Sequence, residues 1–175
     1  MIHLQCTQSV LKHLGIDPKE LQQADDTNAV LGNWSVTSMV IDRRNAFLFM
    51  SDRSLLSFLL LEGKLAFDLT RLQGLLHGGV SQLLDFLGVG QKTIDLVLLE
   101  MNTTAVARTK DRGLLGNLSS LADDYQHRVM ASGGLNSCDL TEIIMSINGG
   151  PQRRLGWSSS VEITKQLLGS TNGAA

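Results

Sequence analysis

The run Trp34-Ser35-Val36-Thr37-Ser38-Met39-Val40-Ile41-Asp42-Arg43-Arg44-Asn45-Ala46-Phe47-Leu48-Phe49-Met50-Ser51-Asp52-Arg53-Ser54-Leu55-Leu56-Ser57-Phe58-Leu59-Leu60-Leu61 decides the fold. Trp34 to Ile41 is rich in Val, Thr and Ser, and its period of two puts Trp34, Val36, Ser38 and Val40 on one side. Asp42-Arg43-Arg44-Asn45 has turn chemistry, because Asp and Asn side chains bond nearby backbone and tolerate unusual dihedrals. Ala46 to Met50 makes a second strand, Ser51-Asp52-Arg53-Ser54 a second turn, and Leu55 to Leu61 a third strand. The segment predicts a three-stranded antiparallel meander.

Upstream, Ile2, Leu4 and Cys6 alternate with His3, Gln5 and Thr7 as a short strand. Thr7 or Ser9 stands ready to cap a brief helix bearing Val10, Leu11 and Leu14, ended by Gly15 and Pro18. Residues 17–33 read as a polar, acidic loop with one helical turn near Pro18. Downstream the period changes: Leu65, Leu69, Leu72, Leu76, Val80, Leu83 and Leu87 step by three or four along one helical face. Gly78-Gly79 interrupts that stripe, and an interior Gly costs about 1 kcal/mol relative to Ala, so a kink or two helices is expected. Ile94, Val97, Leu98 and Met101 predict another helix, although Ile94, Leu96 and Leu98 also read as a strand. Thr103 to Lys110 alternates as a further strand joining the meander.

Leu114, Leu118, Leu121, Tyr125 and Val129 predict a long helix stopped by Ser132-Gly133-Gly134. Asp139, with Glu142 three residues on, opens the next in the manner of a capping box. Asn148-Gly149-Gly150-Pro151 ends it, and a short last helix carries Val161, Thr164 and Leu168. The expected architecture is a single α+β domain over residues 1–168. It has a small, mainly antiparallel sheet of four or five strands packed against four to six helices. Residues 169–175, small and polar, are expected to form a flexible C-terminal tail.

Composition narrows the class further. Of 175 residues, 31 are leucine, 18% are charged, 17 are Gly and 2 are Pro, which excludes collagen, coiled-coil fibre, a long disordered tail and a disulfide scaffold. Fifteen basic and seventeen acidic residues give a formal charge of −2, without the basic excess of non-specific duplex binders. Cys6 and Cys138, far apart in the chain, suit buried thiols in a reducing cytoplasm. The opening residues lack the pattern of a signal peptide, and the densest apolar stretch, Leu55 to Leu61, falls well short of the ~20 residues of a membrane span.

Motifs for familiar chemistries fail on spacing. Gly88-Val89-Gly90-Gln91-Lys92-Thr93 has Gln91 where a phosphate loop needs Gly before Lys-Thr, and it follows a helix rather than a strand. Gly156-Trp157-Ser158-Ser159-Ser160 lacks the closing Gly of a nucleophile elbow, so its serines read as caps for the last helix. His3 and Cys6 point to opposite faces of a strand, and no second pair completes a zinc site; no metal and no cofactor is expected. His77 and His127 stand alone, and the pairs Asp25-Asp26 and Asp123-Asp124 read as solvated faces. Asn117 and Asn148 read as helix caps, and Trp157 as a pin holding the Pro151–Gly156 loop to the core.

Arginines in loop-proximal segments are the remaining chemical lead. Arg43, Arg44 and Arg53 occupy turns of the meander, Arg108, Lys110 and Arg112 the next strand and turn, and Arg153 and Arg154 follow Pro151. Converging guanidinium groups could hold phosphate, nucleotide or a nucleic-acid backbone. Arg53, at the other end of the sheet from Arg43 and Arg44, is not expected to join them. The candidate anion-binding set is therefore Arg43, Arg44, Arg108 and Arg112.

Several stretches together resemble one known family. They are Met1-Ile2-His3-Leu4-Gln5-Cys6-Thr7, Trp34 leading to Ile41-Asp42-Arg43-Arg44, Phe47-Leu48-Phe49-Met50, Arg112-Gly113-Leu114-Leu115-Gly116-Asn117-Leu118, and Ile147-Asn148-Gly149-Gly150-Pro151 before Leu155-Gly156. The family is one of short, uncharacterised bacterial proteins, a domain of unknown function. The resemblance implies a bacterial or phage-borne cytoplasmic protein and transfers no catalytic residue. The expected function is a non-enzymatic interaction or accessory protein acting through a surface groove, with a protein partner or self-association. The alternative is a small nucleotide- or nucleic-acid-directed enzyme or binder built on the four arginines, which makes nucleic acid the less favoured partner; no membrane association is expected.

Overall fold

The structure is a computed structural model and describes residues 1–109 and 111–172. Its five strands are β1 (Ile2–Cys6), β2 (Trp34–Ile41), β3 (Arg44–Ser51), β4 (Ser57–Leu61) and β5 (Thr104–Arg108). Six helices complete it: α1 (Gln8–Leu14), α2 (Leu69–Phe86), α3 (Gln91–Glu100), α4 (Arg112–Ala131), α5 (Leu140–Gly149) and α6 (Ser160–Asn172). The fold is α+β, with the strands in the single order β4-β3-β2-β1-β5.

The meander forms as the quoted run implies, β2 pairing with β3 from Trp34↔Ser51 to Ile41↔Arg44, and β3 with β4 from Ala46↔Leu61 to Met50↔Ser57. Its first turn is tighter than expected. Asp42 and Arg43 alone make it, with φ of 44° and 64°, the double left-handed geometry that joins twisted strands and usually recruits Asn-Gly. Asp42 is held there by accepting the Leu135 N–H at 2.8 Å. At the second turn the strand begins at Ser57 rather than Leu55, which sits at φ 54°.

β5 does not join the meander. It pairs in parallel with β1, from Ile2↔Thr104 to Cys6↔Arg108, at the far edge of the sheet, and β1 also pairs in parallel with β2. The sheet is therefore mixed. The physical reason is the α2–α3 hairpin, which carries the chain from the β4 edge to the β5 edge, and such crossovers give parallel neighbours. Lys110, which the sequence reading placed at the end of this strand, lies outside the described residues.

Alternation sorts the side chains between two cores. Ile2, Leu4, Cys6, Trp34, Val36, Phe47, Phe49 and Phe58 pack with residues of α1, α2 and α3, such as Leu11, Leu76 and Ile94. Ile41, Ala46, Leu48, Met50 and Leu59 point the other way, against Leu118, Tyr125 and Ile143 of α4 and α5. Ala46 to Met50 lacks polar alternation because both faces of β3 are covered.

Helix α2 runs unbroken through Gly78-Gly79 and begins at Leu69, leaving Leu65 outside it and 69% exposed. The expected kink is absent because Leu72, Leu76, Val80, Leu83 and Leu84 anchor the helix by burial, which outweighs propensity. Gly79 has a positive reason to be there. A Cβ at that position would overlap the Phe58 ring, so glycine lets α2 close directly onto β4. Helix α6 continues past Leu168 through Asn172, and residues 173–175 of the expected tail lie outside those described.

Candidate functional site

The four sequence-predicted arginines do not share a cleft described here. Arg43 and Arg44 form the exposed β2–β3 hairpin, while Arg108 closes β5 and Arg112 opens α4. Register sets the separation: Arg108 lies opposite Cys6, and Cys6 opposite Val36. The five residues from Val36 to Ile41 place the hairpin about 16 Å further along the strand direction. Arg53 sits at the other end of the meander from Arg43, as reasoned from topology.

The open edge of the sheet is β4. Ser51 and Leu56 form one hydrogen-bonded pair with β3, and Asn45 and Glu62 another. Alternation then turns the N–H and C=O groups of Ser57, Leu59 and Leu61 outward. At Ser57 these groups are met by a side chain. Asn148 Oδ1 accepts the Ser57 N–H at 2.8 Å, and Asn148 Nδ2 donates to the Ser57 carbonyl at 2.7 Å and to the Ile144 carbonyl at 2.8 Å. The amide thus stands where the peptide of a sixth strand would stand. Tyr125 OH, 3.1 Å from Ser57 Oγ and 3.3 Å from its carbonyl, completes a fully buried network, and burial pushes the Tyr125 phenol well above its ordinary range.

Beyond Ser57 the edge has no such cover. Among the described residues, the outward groups of Leu59 and Leu61 have no hydrogen-bond partner. Leu59 lines a groove between α2 and α5 whose walls include Phe58, Leu83, Phe86, Ile144 and Met145, and Leu61 lies two residues further along the same edge. Phe86 is half exposed at its lip. A shallower shelf continues along α2 over Gly74, Gly78 and Gly79.

A second concavity lies at the opposite end of the sheet. Helix α4 rests on β2 and β3 and α5 on β4, so the same face of β1 is covered instead by the loop before β2. Gln22 and Gln23 run beside β5, the Arg108 N–H donating to the Gln22 carbonyl. Asn33 Oδ1 accepts the His3 N–H at 2.7 Å while its Nδ2 donates to the Asp25 carbonyl at 2.9 Å. All five residues of β1 are therefore buried, His3 and Gln5 included. Between this loop and the start of α4 lies a cleft of about 780 Å³, lined by Gln5, Asp25, Asp26, Asn33, Asp52 and Asp111 among others. Its continuation adds Arg53 and Arg154.

The electrostatics of this cleft are uneven. Burial raises the Asp52 carboxyl to about 6, against smaller opposing effects from the Asn33 backbone N–H and the Arg53 charge, and its Oδ1 has no hydrogen-bond partner. Asp111 is held below its ordinary value, first by the Arg154 guanidinium at 2.7 Å and then by the Leu114 and Gly113 N–H groups that it caps. Arg53 donates to the Thr27 carbonyl at 2.6 Å. Among the described residues, no three His, Cys, Asp or Glu side chains are grouped so as to hold a metal ion.

Several residues read differently in three dimensions. Asn148 is no cap: it is wholly buried and serves the β4 edge. Asn117 lies within α4 with its Nδ2 buried and unpartnered. Trp157 is 67% exposed at φ 70° and pins nothing to the core. The serines before α6 do cap it, Ser159 Oγ accepting the Glu162 N–H while Glu162 Oε2 accepts the Ser159 N–H, a full capping box. Both cysteines are free thiols, and burial pushes Cys6 up to about 12.

Fold and surfaces together define a class: a mixed five-stranded sheet between helical layers, with an open stretch along the β4 edge and a polar cleft beside β1. Within it, the chain belongs to a family described as a domain of unknown function, DUF6933, whose model matches residues 3–163. Neither curated proteins nor solved structures include a match to the chain. No helix among the described residues is long and apolar enough to cross a membrane.

Proposed function

We propose that the protein is a binding module, not a catalyst, and that it takes an extended segment of a partner protein along the open edge of β4. The observation that supports this reading is the change of partner along one edge: Asn148 satisfies Ser57, while the next outward rungs, Leu59 and Leu61, are left open, Leu59 beside a largely apolar groove. Strand addition uses such a geometry, main-chain hydrogen bonds giving affinity and side-chain pockets giving specificity. Gly74 and Gly78 of α2, with open space beside them, leave room near the edge for the incoming chain. The setting we propose is the cytoplasm of a bacterium or phage-infected cell, supported by the two free thiols.

The test is a Leu61→Pro variant together with a photo-crosslinking residue at Phe86. Proline at Leu61 removes an outward N–H and leaves the hydrogen bonds of Leu60 and Glu62 to β3 in place. The expected result is one crosslinked partner segment whose complex slows amide exchange at Leu59 and Leu61, and whose binding Leu61→Pro abolishes in a folded protein. Undiminished partner binding by the folded variant would refute the reading. A crosslink to a second copy of the chain, with mass doubling at higher concentration, would make the added strand its own β4.

A further inference from the structure

We infer that the cleft between the 22–33 loop and the start of α4 binds a small organic cation, an amine or guanidinium group received by Gln5 and Asp52. This site is separate from the β4 groove and does not depend on the role proposed there. Its floor supplies the first reason. Gln5 is 4% exposed, lines the cleft, and its side-chain amide has no hydrogen-bond partner among the described residues. The amide atoms are open to the cleft and not sealed from solvent, and groups of this kind mark the places where ligands or ordered water complete a network.

Charge supplies the second reason and chooses the ligand. Four carboxylates, Asp25, Asp26, Asp52 and Asp111, line the cleft and its continuation, against two guanidinium groups. Both cations are already engaged, Arg154 by Asp111 and Arg53 by the Thr27 carbonyl. Among the described residues, the cleft carboxyls without an ion-pair partner are those of Asp52, Asp25 and Asp26, the Asp52 Oδ1 itself being enclosed against Gly32. Among the described residues of the cleft, an anion would meet this excess of carboxylates with no free guanidinium to receive it. A metal ion would need three clustered ligands, which the described residues do not provide. An ammonium or guanidinium donor fits, since it gives two or three directed hydrogen bonds to separated acceptors.

The raised Asp52 carboxyl makes the interaction pH-dependent. Asp25 and Asp26 face it from the loop, Arg53 from its own turn, and Asp111 and Arg154 from across the cleft, while His3 lies beneath the loop. Binding then weakens as the pH falls through about 6 and Asp52 takes up its proton.

Agmatine, which carries one amine and one guanidinium group, is the probe, titrated by calorimetry into the full chain at pH 8 and pH 5, with magnesium chloride as the control cation. The expected result is saturable one-to-one binding at pH 8. Affinity should drop at least tenfold in Gln5→Met and in Asp52→Asn, and also in the wild type at pH 5. The two variants stand on different elements, and Asp52→Asn is expected to fold at least as stably as the wild type, so weaker binding there reports on the site. Absence of saturable binding at millimolar agmatine overturns the inference. So does binding unchanged by both variants, or displacement of agmatine by equimolar magnesium.

Discussion

Replacing Asn148 by Leu tests whether one side chain seals the β4 edge. The two residues are similar in size, so the change is chiefly the loss of three hydrogen bonds of 2.7–2.8 Å. Their partners fare unequally. The Ser57 carbonyl keeps Tyr125 OH at 3.3 Å, whereas the Ser57 N–H, buried on the outward side of the strand, keeps nothing. One orphaned buried donor costs about 1–3 kcal/mol, and the weakened acceptors add about 0.5–1.5 kcal/mol. A total of about 3 kcal/mol corresponds to a fall in melting temperature of about 6–12 °C for a domain of this size. Urea denaturation followed by circular dichroism measures the loss directly. Asn148→Asp adds a diagnostic of direction, because its second oxygen would face the Ser57 and Ile144 carbonyls, and only a protonated carboxyl can donate to them. The folded state then binds that proton more tightly than the unfolded state does, so the deficit of Asn148→Asp should shrink from pH 8 to pH 5. A loss below about 1 kcal/mol in Asn148→Leu, or a pH-independent deficit in Asn148→Asp, would refute the assignment.

Neighbouring glycines of α2 should behave oppositely: Gly78 has open space, so Gly78→Ala should stabilise by about 0.5–1 kcal/mol. Gly79→Ala, which drives a methyl into the Phe58 ring, should destabilise by about 1–3 kcal/mol in the same denaturation assay. Asp52 is raised from 3.8 to about 6, so the folded state holds its proton more tightly, and the carboxyl destabilises the fold progressively as pH rises through that window. Asp52→Asn should therefore stabilise the protein at pH 7 by about 1–2 kcal/mol, a figure already reduced for partial solvent screening, and make little difference at pH 4. Ser159→Ala breaks the capping box of α6 and should lower stability by about 1 kcal/mol in urea titrations.

Local periodicity carried most of the architecture. The meander, the long stripe of α4 and the Asp139 start of α5 were legible because each is a pattern within a single element. The pairing of β5 was not, since its partner is decided by where the α2–α3 crossover delivers the chain. Nor could spacing reveal that Gly79 belongs to a contact with Phe58, for the stripe records only a local propensity penalty. The arginine set shows the same limit. Arg43, Arg44, Arg108 and Arg112 are all near turns, but the register of β1 with its two neighbours keeps hairpin and β5 at different levels of the sheet.

Both candidate surfaces hinge on polar side chains that sequence reading assigned to solvent or to caps. In β1, the alternation of His3 and Gln5 with Ile2, Leu4 and Cys6 identifies a polar face but not whether anything covers it. The covering loop is itself polar and acidic, so it reads as an exposed connection until Asn33 ties it to His3 and Asp25. In α5, Asn148 precedes two glycines, where a capping role is the economical reading, yet its amide reaches across to a strand 91 residues earlier in the chain. A polar residue buried by a distant segment leaves no periodic trace, because its neighbours in sequence are not its neighbours in space. Its trace is energetic: a buried amide must be met, and where Asn148 is met by Ser57 the fold is closed. Gln5 is met by no side chain or backbone group among the described residues and borders the cleft, which leaves β1 chemically open there.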